Sequence, residues 1–109
     1  MSDVSILLGK TLFECYELDG GIIFKTSEEE TYKMYHNQSC CESVDLQDIT
    51  GDLMDLIGAP ILHAEESTED KDGGTWTFYK FATVNGWVDI RWFGEDNYYS
   101  VSVDFEKIY

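Results

Sequence analysis

The chain has 109 residues, with 22 Asp and Glu against 7 Lys and Arg, for a formal charge of −15 at pH 7. That length predicts a single domain, 1–109, with a core of its own, and a composition 43% hydrophobic and 15% aromatic excludes a disordered acidic tail. The charge argues against direct binding to nucleic acid and makes a basic protein surface the natural partner.

Residues 4–8 fit a short helix capped by Ser2 or Asp3; they lack the basic start and long apolar run of a signal peptide. No apolar run approaches a membrane span. Leu12–Leu18 is a predicted strand ending at Asp19-Gly20-Gly21, a strong turn signal, and residues 22–26 are its hairpin partner. The acidic turn at 27–30 leads into a strand over 31–36, where Tyr32, Met34 and His36 alternate with Thr31, Lys33 and Tyr35. These three strands read as one antiparallel meander.

Residues 37–40 read as a loop and 42–49 as a strand with Val44 and Leu46 on one face. A helix of about two turns should follow: Asp52 caps it, Asp55 lies in its first turn, and Leu53, Leu56 and Ile57 form its apolar face. Gly58 suits its end and Pro60, the only proline, lies just beyond. Residues 61–65 form a strand before a polar loop over 66–74.

In 75–84, Trp76, Phe78, Ala82 and Val84 alternate with Thr75, Thr77, Tyr79 and Thr83. Asn85-Gly86 signals a type I′ hairpin turn. Its partner strand, 87–93, sets Val88, Ile90 and Trp92 against Asp89 and Arg91. A turn at 94–97 leads into 98–105, where Tyr99, Val101, Val103 and Phe105 oppose Ser100, Ser102 and Asp104. The fold class is therefore α+β and mainly antiparallel β: two three-stranded meanders, with one or two short helices packed on the sheet or sheets. The pattern leaves both a sandwich and a single curled sheet open.

His36, Cys40, Cys41 and Glu42 form the one cluster with metal-ligand chemistry, and His63 or Cys15 could complete a zinc tetrahedron. The spacing argues against it, because adjacent cysteines on an extended chain point to opposite faces. An odd set of three cysteines is read as free thiols in a reducing, cytoplasmic setting, with no cofactor or metal. The same residues would have to serve any Cys–His nucleophile, and no activating helix N-terminus or local motif accompanies them. The series Asp45, Asp48, Asp52, Asp55 fails the calcium loop, because Ile49 falls at a ligand position.

What stands out is acidity with exposed aromatic anchors. Carboxylates two residues apart on one strand face lie roughly 6.6 Å from each other by strand rise, a spacing similar to successive phosphates. The candidate partner-binding residues are Glu28, Glu29, Glu30, Asp45, Asp48, Asp52, Asp55, Glu65, Glu66, Glu69, Asp70 and Asp72, with Tyr35 and Trp87 as packing anchors. Tyr35, Trp87, Phe93 and Tyr98 fall off the better-defined apolar faces, where structural pairing or a protein contact would account for them.

The segments Tyr35-His36-x-Gln38-x-Cys40-Cys41-Glu42-Ser43-Val44 and Asp48-Ile49-x-Gly51-Asp52-Leu53-x-Asp55-Leu56-Ile57-Gly58-x-Pro60-Ile61-Leu62-x-Ala64-Glu65-Glu66 resemble a family of small acidic proteins, a domain of unknown function carried largely by bacteriophages and prophages. Thr75-Trp76-Thr77-Phe78-Tyr79-Lys80 and Ile90-Arg91-Trp92 extend the resemblance over nearly the whole chain. It supplies no catalytic residues. It implies a non-enzymatic protein of the host-cell cytoplasm that inhibits a defence or nucleic-acid-processing protein, such as a CRISPR effector, restriction or transcription machinery. Two other readings stand beside this: a metal- or small-molecule-binding module centred on His36, Cys40 and Cys41, and a phage protein whose acidity is only solubility.

Overall fold

The computed structural model describes residues 4–36, 43–71, 73–95 and 103–109; period-two alternation becomes strands within them, and most of the strand expected over 98–105 lies outside the described residues. Among the described residues, eight strands form two four-stranded antiparallel sheets. The first sheet holds β1 (Leu12–Leu18), β2 (Gly21–Thr26), β3 (Thr31–Tyr35) and β8 (Asp104–Lys107), in the order β1-β2-β3-β8. The second holds β4 (Ser43–Thr50), β5 (His63–Lys71), β6 (Gly74–Thr83) and β7 (Gly86–Glu95), in the order β4-β7-β6-β5.

The sheets share one core. Phe24 of β2 meets Phe81 of β6 with ring centroids 5.5 Å apart, and Phe105 of β8 lies 5.7 Å from Phe24 and 5.4 Å from Tyr32. Ile22, Met34, Ile90, Val88 and Trp92 complete the contact from both sides. Each such large side chain contributes roughly 1.5–3 kcal/mol by leaving water, which is what holds two sheets of an otherwise self-repelling chain together.

Both expected helices are corrected to single 3-10 turns, Val4–Leu7 and Leu53–Leu56, and no α-helix occurs among the described residues. Asp52 does cap the second turn, accepting from the Met54 N–H at 2.9 Å. Ile57 is already extended, with φ −97° and ψ 141°, and Gly58 and Pro60 lie just beyond, so the segment stops after burying only Leu56. No helix among the described residues is long and apolar enough to cross a membrane.

The first three-stranded meander forms as expected, β1-β2-β3, with β8 added at its edge, and the second is corrected. β8 leaves the second meander and pairs with β3, placing Phe105 opposite Met34. The second sheet is completed instead by β4 and β5 at its two edges. The first hairpin turns through Asp19 (φ 49°) and Gly20 (φ 77°), the two positive dihedrals that a type I′ turn requires. The β6–β7 hairpin turns one residue earlier than expected, through Val84-Asn85, because Thr83 pairs with Gly86. Neither turn residue has a positive φ, so it is not type I′.

Candidate binding surface

The acidic residues singled out in the sequence divide into groups with different surroundings. The 28–30 turn is built on the buried Thr26, whose hydroxyl oxygen accepts from the N–H groups of Glu28 and Glu30, each at 3.3 Å. Its carboxylates are then drawn into a clamp. Lys10 Nζ lies 2.9 Å from Glu28 and 2.7 Å from Glu30, and Lys107 lies 3.4 Å from the other oxygen of Glu30. Lys10 holds the Glu30 carboxyl below its ordinary value, and the two carboxylates raise the Lys10 ammonium above its own. Two carboxylates thus share two ammonium groups, and of the three in this turn Glu29 stands exposed beside the clamp.

The 45–55 residues are also largely committed. Asp48 accepts from Arg91 at 2.7 Å, and that guanidinium holds its carboxyl below the usual range. A bulge between Leu46 and Asp48 sets Asp45 opposite Phe93 and Asp48 opposite Arg91, so both share the outer face. Asp52 is occupied as a cap. Asp55 lies against the β6–β7 hairpin, where its backbone carbonyl accepts from the Thr83 hydroxyl.

β5 is different. The expected loop at 66–74 is instead a strand paired residue for residue with β6, from His63 opposite Ala82 to Lys71 opposite Gly74. Glu, Asp and Ser are poor strand formers, and the segment is extended because the aromatic strand beside it supplies the pairing. A two-residue turn closes the hairpin with Gly73 at φ +80°. This Asp72-Gly73 signal was present in the sequence. Asp72 itself lies outside the described residues.

Glu65, Glu66, Glu69 and Asp70 are all exposed on this edge strand. Glu65 and Glu69 point to the outer face, while Glu66 and Asp70 point to the other, where Asp70 accepts from the Thr75 hydroxyl at 2.8 Å. Carboxylates on one face of β5 are therefore four residues apart, about 13 Å by strand rise, not the phosphate-like interval expected.

The outer face of the second sheet adds aromatic and cationic groups that the residue pattern alone did not assign to a site. Trp76 lies 6.1 Å from Phe78 and 4.9 Å from Phe93, and Arg91 sits over Trp76 at 5.9 Å. Phe93 faces Trp76, and its ring lies over Gly74, where a Cβ would collide with it. Beside them a trough of about 480 Å³ is lined by Thr50, Glu65, Ser67, Lys80, Asp89 and Arg91. The hairpin register carries this information: counting back from the β6–β7 turn puts Phe78 opposite Arg91 and Lys80 opposite Asp89.

At the hairpin end Trp87 is 56% exposed, with Lys80 5.6 Å above its ring and His63 5.1 Å from it. Leu62 and Val84 nearby are exposed as well. Tyr35 belongs to the other sheet, and its hydroxyl donates to Glu106 at 2.7 Å, with Lys33 over the ring. That carboxylate pushes the Tyr35 hydroxyl up to about 12. Tyr35 is a structural pair and does not share a surface with Trp87.

The metal-ligand cluster is not assembled from the described residues, among which no group of three or more His, Cys, Asp or Glu comes together. His36 lines a recess with Trp92 and Asp45. His63 lies beside Trp87, five residues and about 17 Å further along β7 by strand rise, so it does not complete a site at His36. His63 Nε2 is 3.1 Å from a Glu65 oxygen. It makes no aligned hydrogen bond there. Cys15 is buried, and burial pushes its thiol up to about 12, which makes it unreactive. Cys40, Cys41, Glu42 and Tyr98 lie outside the described residues.

No curated protein and no solved structure matches the chain. Residues 5–105 match one family model, described as "Domain of unknown function (DUF7448)". The match spans both sheets, the β5 edge and the Trp87 corner alike, and the chain belongs to that family.

Proposed function

We propose that the protein is a non-enzymatic inhibitor that docks on the nucleic-acid-binding surface of a basic partner. The observation that carries this reading is β5, where four exposed carboxylates are held on a paired strand in a chain of charge −15. Trp87 at the end of the same sheet supplies a large apolar anchor of the kind that dominates interface energetics. Carboxylates on a regular scaffold steer a cationic partner and compete with phosphates for it.

The partner class is a host defence or nucleic-acid-processing protein: a CRISPR effector, a restriction enzyme or the transcription machinery. The setting is a bacteriophage or prophage protein acting in the host cytoplasm, and the phage resemblance of its motifs supports that setting. Purified proteins of the three classes, passed over the immobilised chain, test the proposal. Retention of one of them should fall as salt rises, and duplex DNA should displace it. Retention that ignores salt, DNA and the conversion of the β5 carboxylates to amides would exclude the mechanism.

A further inference from the structure

Two four-stranded sheets expose four edges, and they are not protected alike. β1 is interrupted by an irregularity between Leu12 and Glu14, and β4 by the one between Leu46 and Asp48. β8 is only four residues long. Bulges and short length are the ordinary defences of a strand edge against pairing with another chain. β5 has neither. It runs nine residues, His63–Lys71, in unbroken register with β6, and no described residue pairs with its other side. The Val4–Leu7 turn packs against it, with its bridge at Ile61 just before the strand begins. Among the described residues, none forms a strand bridge to the free side of His63–Lys71.

Beyond the Val4–Leu7 turn, the protection the described residues give β5 is charge, and charge is selective. A second copy laid antiparallel on β5 would set carboxylates against carboxylates, which is destabilising. A strand bearing Lys or Arg at alternate positions meets the opposite condition. Its side chains on the outer face would lie beside Glu65 and Glu69, within reach of Trp76 and Phe78 on the next strand. Cations over aromatic faces are already used on this surface, by Arg91 over Trp76 and Lys80 over Trp87.

We propose that the open edge of β5 receives an extended, lysine- or arginine-bearing segment of the basic partner as a fifth strand of the second sheet. Main-chain hydrogen bonds would give the affinity, and the acidic side chains would choose the sign of the segment. This rests on the acidic-docking reading and specifies how the contact is made.

The test uses the whole chain and a labelled peptide that alternates lysine with valine or threonine. A second peptide has the same sequence with consecutive central amides N-methylated, so that neither of its edges can pair. The first should bind and slow amide hydrogen exchange within residues 65–70. The methylated peptide should bind about tenfold more weakly or worse, because several backbone hydrogen bonds are lost together. Glu65→Gln with Glu69→Gln should weaken the first peptide without unfolding the chain.

Equal binding of the two peptides would overturn strand addition while leaving docking by charge intact. Failure of both peptides to bind would remove strand addition and the acidic-docking reading together. Protection of 65–70 by self-association, without any peptide, would overturn the proposal in favour of a second copy.

Discussion

The turn at 28–30 and the strand at 65–70 are both strongly acidic in sequence and differ in structure. In the turn, Glu28 and Glu30 close on Lys10, with Lys107 behind them, and the cluster ties the start of the chain, the β2–β3 connection and the last strand together. In the strand, Glu65, Glu66, Glu69 and Asp70 are spread over two faces of a sheet edge. Glu28 and Glu30 of the first group are tied to lysines that hold the fold, while the second group stands exposed along a sheet edge. Acidity in a sequence therefore locates no interface until its counterions have been placed.

Both regions hang on the same core, so the largest effect should strike both. Phe81→Ala opens a cavity where Phe24 and Tyr79 pack, and should cost about 3–5 kcal/mol in urea unfolding. Losing the β5 edge while the 28–30 clamp persists would show that the sheets fold separately. Trp87→Ala separates docking from stability. With the ring more than half exposed, stability should change by roughly 0.5 kcal/mol or less, whereas partner binding should weaken by about 2 kcal/mol, some thirtyfold. Equal losses in the two measurements would make Trp87 a structural residue.

Lys10→Met acts on the other side of the comparison. It leaves Glu28 and Glu30 facing each other without their shared cation, so thermal stability should fall while peptide binding at β5 stays unchanged. The smallest effect is in acid. Glu30 and Asp48 have carboxyls depressed by Lys10 and Arg91 respectively, so their contribution is complete above the ordinary carboxyl value and is lost as pH falls through the depressed one. Lys10 is raised, so its contribution persists below its ordinary value of 10.5 and is lost only as pH rises through the raised one. Lys10→Met should flatten the acid limb of stability against pH, and an unchanged limb would remove the clamp from the account.

Much of the strand pattern was legible because alternation is a local signal. Leu12–Leu18 and its Asp19-Gly20 turn were readable directly, as was the face Val88, Ile90, Trp92. The destination of β8 was not, since Phe105 pairs with Met34 across more than half the chain and nothing local records it. β5 was misread for a related reason: Glu66, Ser67, Glu69 and Asp70 resemble loop residues, and only their pairing with β6 makes them a strand. The short helices failed where cap signals outran the length of the apolar face. Among the site residues, the carboxylates were visible one by one, but which of them face Lys10, Arg91 or open solvent is a tertiary fact.

The most direct measurement is the affinity of the lysine-bearing peptide for two charge variants of the whole chain. One converts Glu65, Glu66, Glu69 and Asp70 to their amides; the other converts Glu28, Glu29 and Glu30. The β5 variant should lose most of the binding and its salt dependence, while the turn variant keeps both and is the less stable protein. Equal loss from the two variants would contradict it, because the charge would then act as a diffuse field and β5 would not be a docking edge.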